Sequence, residues 1–271
     1  MMISNDLLKG VYMNKVLKKI SQVTVIIVFF GIWEFMSRTE ILNPILVPPF
    51  TDLVKNMWNM FLDGNFTKHL IISLRRAGIG FALAVIAGIP LGLLLGGWFK
   101  TIQKSLEWLM KIFSQVNPFV MFHIIILILG IDEKPKVIII MWACLWPIIT
   151  NTILGIQNVN ENVLKAARCF GLGRVAIFIK VVFPASLPSI FTGLRLSAGY
   201  SVFMLVAAEM MGASSGLGWL IKSSEENFQI LNIYGAALVI ALLGVFIDGF
   251  MQILEKRFTS RIKADYLNSE I

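Results

Sequence analysis

Charge is what this sequence is shortest of. Only 15% of its 271 residues are Asp, Glu, Lys or Arg, against 57% hydrophobic, and the mean hydropathy is +0.78. Soluble domains carry about 25% charged residues, so a water-soluble globular chain is excluded and an integral membrane protein is implied. Cysteine is scarcer still. Cys144 falls in an apolar run and Cys169 in a charged window, which excludes a disulfide framework and a C-x-x-C metal or redox centre. With two histidines and isolated carboxylates, no chain of acids and histidines suggests ion coupling. Nucleotide loops are missing as well. GLGWLIKSS from Gly216 has Ile221 where a phosphate-binding loop requires its second glycine, and GLGRVA from Gly171 imitates a dinucleotide fingerprint with no strand before it. The chain is therefore expected to bind no cofactor or metal.

What is present is apolar length. A bilayer-spanning helix needs about 20 mostly apolar residues, and six such stretches stand out, roughly 20–37, 71–98, 112–131, 136–156, 188–211 and 232–254. The expected fold is an all-α polytopic membrane protein. It comprises an N-terminal tail over 1–19, a first span over 20–37, an external connection over 38–70, a five-helix core over 71–254 and a C-terminal tail over 255–271. The first stretch follows KVLKK as a leader peptide would, yet IIVFFGIWEFMSRTE ends in bulky and charged residues with no A-x-A pattern, so it is expected to remain as an uncleaved span. With both termini placed inside, the inner segments hold 15 Lys and Arg and the outer ones 6. The positive-inside rule then puts both tails, and the window from 157, in the cytoplasm of a cell-membrane protein. Topology thus accounts for the net charge of +8, and no nucleic-acid partner is needed.

Small residues recur every four positions in the second span, at Gly80, Ala84, Gly88, Gly92 and Gly96, forming a ridge that lets another helix backbone approach closely in lipid. The spacing fits tight packing inside one bundle or a seam between two copies. A weaker ridge, Gly193, Ser197 and Ser201, marks the fifth span. Pro90, Pro118 and Pro147 put a proline in each of three successive spans, where lost helix bonds imply kinks. Broken backbone at membrane depth is tolerated where it is packed in protein or lines a cavity. Asn117, His123, Asn151, Ser197, Tyr200, Ser201 and Glu209 are the candidate pathway residues, and Asp248 is the other notable intramembrane carboxylate.

One window breaks the apolar pattern: ENVLKAARCFGLGRVAIFIKVVFPASLPSI, from Glu161 to Ile190. Asn160 is placed to cap a helix from Glu161, Gly171-Leu172-Gly173 to end it, and a second helix is expected from about Arg174 to Phe183, closed by Pro184 and Pro188. Val163, Leu164, Ala167 and Phe170 share an apolar side, while Ala166 and Gly171 leave a low profile. Such an element serves equally as a docking surface for another protein or as a loop resting on lipid head groups through Lys165, Arg168, Arg174 and Lys180.

The run KAARCFGLGRVAIFIKVVFPASLPSIFTGLRLS resembles the cytoplasmic EAA loop of ABC-importer permeases: Glu-Ala-Ala, a glycine four positions after the second alanine, and a later proline. Lys165, Ala166, Ala167, Gly171 and Pro184 occupy those positions. Together with GFALAVIAGIPLGLLLG (Gly80–Gly96) and AAEMMGASSGLGWLI (Ala207–Ile221), the chain is similar to permeases of the nitrate, sulfonate and taurine group from about Pro48 to Arg257. Lys165 departs from the pattern, since glutamate is expected there; Glu161 stands one helical turn away.

The resemblance implies a cytoplasmic coupling loop over 157–187, with Glu161, Lys165, Ala166, Ala167, Gly171, Leu172, Gly173 and Pro184 as its residues. It further implies ABC ATPase subunits that bind ATP and Mg outside this chain, an extracytoplasmic solute-binding protein, and a second copy of the chain. The solutes implied are sulfonates, taurine, nitrate or vitamin precursors. An ion-driven secondary transporter with Glu209 or Asp248 as coupling carboxylate is the competing reading.

Overall fold

The computed structural model describes residues 21 and 24–268, all of whose regular elements are helical. The tail expected over 1–19, residues 20, 22 and 23 of the span expected from 20, and residues 269–271 lie outside the described residues. In chain order the elements are α1 (24–38), α2 (Phe50–Leu62), α3 (Asn65–Gly97), α4 (Lys100–Gln115), α5 (Pro118–Leu129), α6 (Glu133–Gln157), α7 (Glu161–Cys169), α8 (Arg174–Ile177), a π-helical turn (Phe178–Val182), α9 (Phe183–Gly212), α10 (Leu217–Glu226) and α11 (Ile230–Asn268). They fall into two compact units: one runs up to Gly64 and includes Ser224–Gly235, the other holds Asn65–Ser223 and the chain from Ala236.

In the first unit Trp33 donates its indole N–H to the Pro48 carbonyl (3.1 Å), Ser37 donates to the Val47 carbonyl (2.6 Å), and Asn56 donates to Asn232 (2.7 Å). Phe30 and Phe50 pack their rings at a tilt of 33°, with centroids 4.4 Å apart, within it.

The second unit is built on α3, α6 and α9. Cβ atoms at Gly80, Gly88, Gly92 and Gly96 would stand 2.6–2.9 Å from Ile140, Ile148, Thr152 and Ile156, and Ala84 is fully buried. The glycine ridge therefore faces α6 of the same chain, and close approach in lipid is secured by removing side chains from one helix. The α6–α9 seam uses the same device through Gly155 and Gly193, and adds polar cross-links. Ser197 donates to the Cys144 carbonyl (2.7 Å), and the Cys144 thiol lies 3.2 Å from the Ser197 carbonyl.

Among the described residues, four helices are long and apolar enough to cross a membrane: Phe66–Gly97, Glu133–Gln157, the helical path Arg174–Gly212, and Ile230–Phe258. The span expected over 112–131 is not one helix. It breaks at residues 116–117, and the segments Thr101–Gln115 and Pro118–Leu129 meet at 87°. Pro118 opens α5, where its missing N–H costs nothing, and Asn117 caps that helix by accepting from the Phe119 N–H (2.9 Å).

The second difference lies at Pro184, expected to end a helix at Phe183. The helical path runs on from Arg174 to Gly212, because the intervening turn is widened: the Phe183 N–H bonds to the Phe178 carbonyl five residues back. A π turn relieves the crowding that a proline ring imposes on the carbonyl four positions before it.

Candidate functional site

A cavity of about 630 Å³ lies beside the α4–α5 break. Its walls are the break itself (Gln115 to Phe119), one side of α6 (Trp142, Ala143, Trp146, Pro147, Thr150, Asn151) and one side of α9 (Leu196, Tyr200, Phe203, Met204). Each element contributes for a physical reason. Pro147 cannot donate to the Ala143 carbonyl four residues back, so α6 carries a freed backbone acceptor at the wall. Asn151 bends back to donate its side-chain N–H to the Pro147 carbonyl (2.8 Å). Gly193 lets α9 lie against that same turn, where a Cβ would be 2.9 Å from the Pro147 oxygen.

On α9 the buried residues Ser197, Ala198, Ser201, Val202 and Leu205 face the bundle, and Leu196, Tyr200 and Phe203 are 51–62% exposed on the other side. No Asp, Glu, Lys, Arg or His lines the cavity among the described residues. The lining is mostly apolar and aromatic, with amide and hydroxyl groups set among Val116, Leu196, Met204 and the two prolines. Such a surface offers hydrogen bonds without fixing a charge, and conduction requires binding weak enough for release.

Three of the seven expected pathway residues meet there: Asn117, Asn151 and Tyr200. The other four do not line it. His123 is exposed with Nδ1 2.9 Å from the Phe119 carbonyl; Ser197 bridges α9 to α6; Ser201 donates to the Ala198 carbonyl (2.7 Å); and Glu209 is buried beside Arg76. Asp248 is likewise engaged, paired with Arg195 at 2.6 Å. Sequence reasoning missed Trp142 and Trp146. Their indole nitrogens are buried without a hydrogen-bond partner, and Phe113 of α4 stacks on Trp146 (6.0 Å, 4°). The two tryptophans one helical turn apart on α6 were the available signal.

At the other end of α9 lies the charged window. Asn160 caps α7 by accepting from the Asn162 N–H (2.8 Å). The helix ends at Gly171, with φ +74°, where the Gly171 N–H bonds to the Arg168 carbonyl and the Leu172 N–H to the Ala167 carbonyl. That is a Schellman closure. Leu164, Ala167 and Leu172 pack inward with Ile156, Ile177 and Val182, whereas Val163 and Phe170 point outward, Phe170 at 84% exposure. The apolar side expected to be continuous is thus divided between the core and the surface. Ala166 is exposed, and the space around the Gly171 and Gly173 α-carbons is open. Lys165 and Glu161 form an exposed pair at 3.9 Å, which contributes little.

Comparison with known proteins bears on this arrangement. The model of the binding-protein-dependent transport system inner membrane component family matches residues 88–260. The putative aliphatic sulfonates transport permease protein SsuC of Bacillus subtilis is 30% identical over 85% of this chain and 83% of its own length. The taurine transport system permease protein TauC of Escherichia coli is 27% identical, over 86% of each. Among solved structures, the chain resembles one from an inward-facing MetNI methionine ABC transporter, with a TM-score of 0.61 and 15% identity over 69% of this chain and 93% of that one, a likeness of fold.

Proposed function

The chain belongs to the binding-protein-dependent transport system inner membrane component family, in its nitrate, sulfonate and taurine group, and from that premise we propose how it moves a solute. It is an ABC-importer permease, and two copies enclose the translocation pathway. The α7 turn docks on cytoplasmic ABC ATPase subunits, which bind ATP and Mg, and a solute-binding protein delivers cargo at the opposite face. Both termini are cytoplasmic.

The observation that carries this reading is the helical continuity from Arg174 to Gly212. One path runs from Arg174, directly after the Gly171–Gly173 turn that closes α7, to the α9 wall of the cavity, so a displacement of that turn is carried along it to Leu196, Tyr200 and Phe203. The π turn at Phe178–Val182 is where that path yields. The exposure of the α9 wall in a single chain supports a second copy closing the cavity. Glu209 and Asp248 are each held by an arginine away from the cavity, which weighs against an ion-driven carrier that would use either as its coupling carboxylate.

For the solute, the relatives' names point to small sulfonates, and an uncharged lining with amide and hydroxyl groups set in it suits brief passage of such an anion. The test is reconstitution of the chain with its ATPase and binding protein in vesicles. Taurine or a short alkanesulfonate should enter only with ATP supplied to the ATPase side, and entry should persist when the proton gradient is collapsed. Uptake that follows the proton gradient at constant ATP would overturn the importer reading; uptake of a different solute under ATP control would overturn only the sulfonate assignment.

A further inference from the structure

The most fully satisfied polar cluster in the second unit lies at the end of α9 remote from α7. His69, Ser73 and Arg76 stand at i, i+4 and i+7 on one face of α3, and that face receives the start of α10. The Gly216 N–H donates to His69 Nδ1 (3.0 Å), the Leu217 N–H to Ser73 Oγ (2.8 Å), and the Gly218 N–H to Glu209 Oε2 (2.9 Å). Glu209, 1% exposed, also accepts from Ser73 Oγ at 2.8 Å and from Arg76 Nη1 at 2.7 Å. Arg76, 2% exposed, spends its remaining donors on Glu133 at 2.6 Å and on the Ser215 carbonyl at 2.6 Å.

The Gly216-Leu217-Gly218 run, too incomplete for a phosphate loop, thus gives one helix N-terminal amide, that of Gly218, to an anion after all, and the anion is a carboxylate of the same chain. Backbone approaches there leave no room for side chains: a Cβ on Gly216 would collide with the Glu209 carboxylate, and one on Gly218 would stand 2.8 Å from Glu209 Cβ.

Along its middle α9 packs on α6 through Gly193 and the Ser197–Cys144 bonds, contacts between small uncharged groups. At this end it is fixed by buried charges, and removing one partner of a buried pair leaves the other uncompensated. Glu209 lies 6 positions beyond Phe203 on the same helix, so the anchorage sets how far α9 is turned where it meets the cavity.

We propose that Arg76 and Glu209 are positioning residues for transport: by tying α9 to α3 and to the first amides of α10, they hold the Leu196–Tyr200–Phe203 face toward the cavity. This rests on the permease reading for its consequence, while its geometry is tested separately. In the complete complex with ATPase subunits, in a Cys169→Ser background, Leu196→Cys, Tyr200→Cys and Phe203→Cys should react with N-ethylmaleimide far faster than Ala198→Cys and Ser201→Cys. Combining each with Arg76→Met and Glu209→Gln, which removes the charge pair but keeps an acceptor for Gly218 and Ser73, should reduce the cavity-to-bundle ratio of labelling by about tenfold, the change that about 1.4 kcal/mol makes in an equilibrium.

Stimulation of ATP hydrolysis by the binding protein should fall in parallel. An assembled variant that keeps the native labelling ratio overturns the proposal, as does one with an altered ratio and native stimulation. Should the double variant not assemble, Glu209→Gln alone is read by the same two measurements. If neither assembles, the pair serves folding alone and the proposal fails. A native complex that shows no stimulation at all would instead count against the permease reading.

Discussion

Gly193 of α9 lies against Pro147 of α6 so closely that a Cβ would stand 2.9 Å from the proline carbonyl oxygen and 2.8 Å from Asn151 Cβ. The contact joins a helix whose hydrogen bonding is interrupted to one from which the side chain is missing, at the wall of the cavity. Pro147 frees the Ala143 carbonyl one turn back, Gly193 in α9 allows close approach to the carbonyl of Pro147 itself, and Asn151 turns its amide back onto that Pro147 carbonyl.

Gly193→Val should therefore wedge α9 away from α6. Overpacking of this kind costs about 1–3 kcal/mol. Thermal unfolding in detergent should show a clear loss for Gly193→Val and little change for Gly199→Val, since nothing lies within 4 Å of a Cβ at Gly199 on the same helix. Equal losses at both positions would mean that the α6 contact does not set the cost, since valine is the better helix former of the two residues.

How much of this was legible beforehand depends on range. Spacing alone disclosed the ridge Gly80 to Gly96, because small residues every four positions mark one helix face. It left the opposing helix open, since a stripe says nothing about what lies across it, and Ile140, Ile148, Thr152 and Ile156 are far away in sequence. The caps at Asn160 and Gly171 were readable because their hydrogen bonds are local. Local signals also misled. Asn117-Pro118 carries the mark of a turn, but the apolar run around it reads as one span, and Pro184 reads as a stop because a π turn has no recognisable spacing. The anchorage of Glu209 was hidden entirely: its arginine is 133 positions away, and only its isolation in an apolar helix hinted at a partner.

Asp248 offers a direct test against ion coupling. Its carboxylate takes two hydrogen bonds from Arg195 (2.6 and 3.0 Å) and one from Gln252, and it is not among the residues that line the cavity beside the α4–α5 break. Asp248→Asn should retain ATP-driven uptake of the solute carried by the binding protein, with the same indifference to an uncoupler as the native complex. Abolition of uptake in an assembled Asp248→Asn complex would require a coupling role for this residue.

Topology is open to labelling. In a Cys169→Ser background, Lys134→Cys and Glu226→Cys occupy exposed positions in segments expected outside, and Lys104→Cys and Lys165→Cys exposed positions in segments expected inside. An impermeant thiol reagent should modify the first pair in intact cells and the second pair only after permeabilisation. Modification of Lys165→Cys in intact cells would place the α7 turn on the wrong face for an ATPase.

The α7 turn itself is either a docking surface or a lipid-resting loop, and its geometry identifies the residue that separates the two. Gly171 is a poor probe, although the space around it is open: with φ at +74°, any side chain there is strained by about 1–2 kcal/mol before a partner is considered. Ala166 carries no such penalty, since it is helical and exposed one turn before Phe170. Ala166→Trp should leave the isolated chain as stable as the native one and sharply reduce co-purification of the ATPase, because a large ring would stand where the partner's surface approaches. On a lipid surface the same ring would be welcome, and neutralising Arg168 and Arg174 would be the damaging change. ATPase recovery on the tagged chain decides between them. Native recovery with Ala166→Trp, together with loss of ATP-driven uptake in the Arg168→Gln and Arg174→Gln variant, would assign this turn to the membrane surface and oblige the ATPase to dock elsewhere.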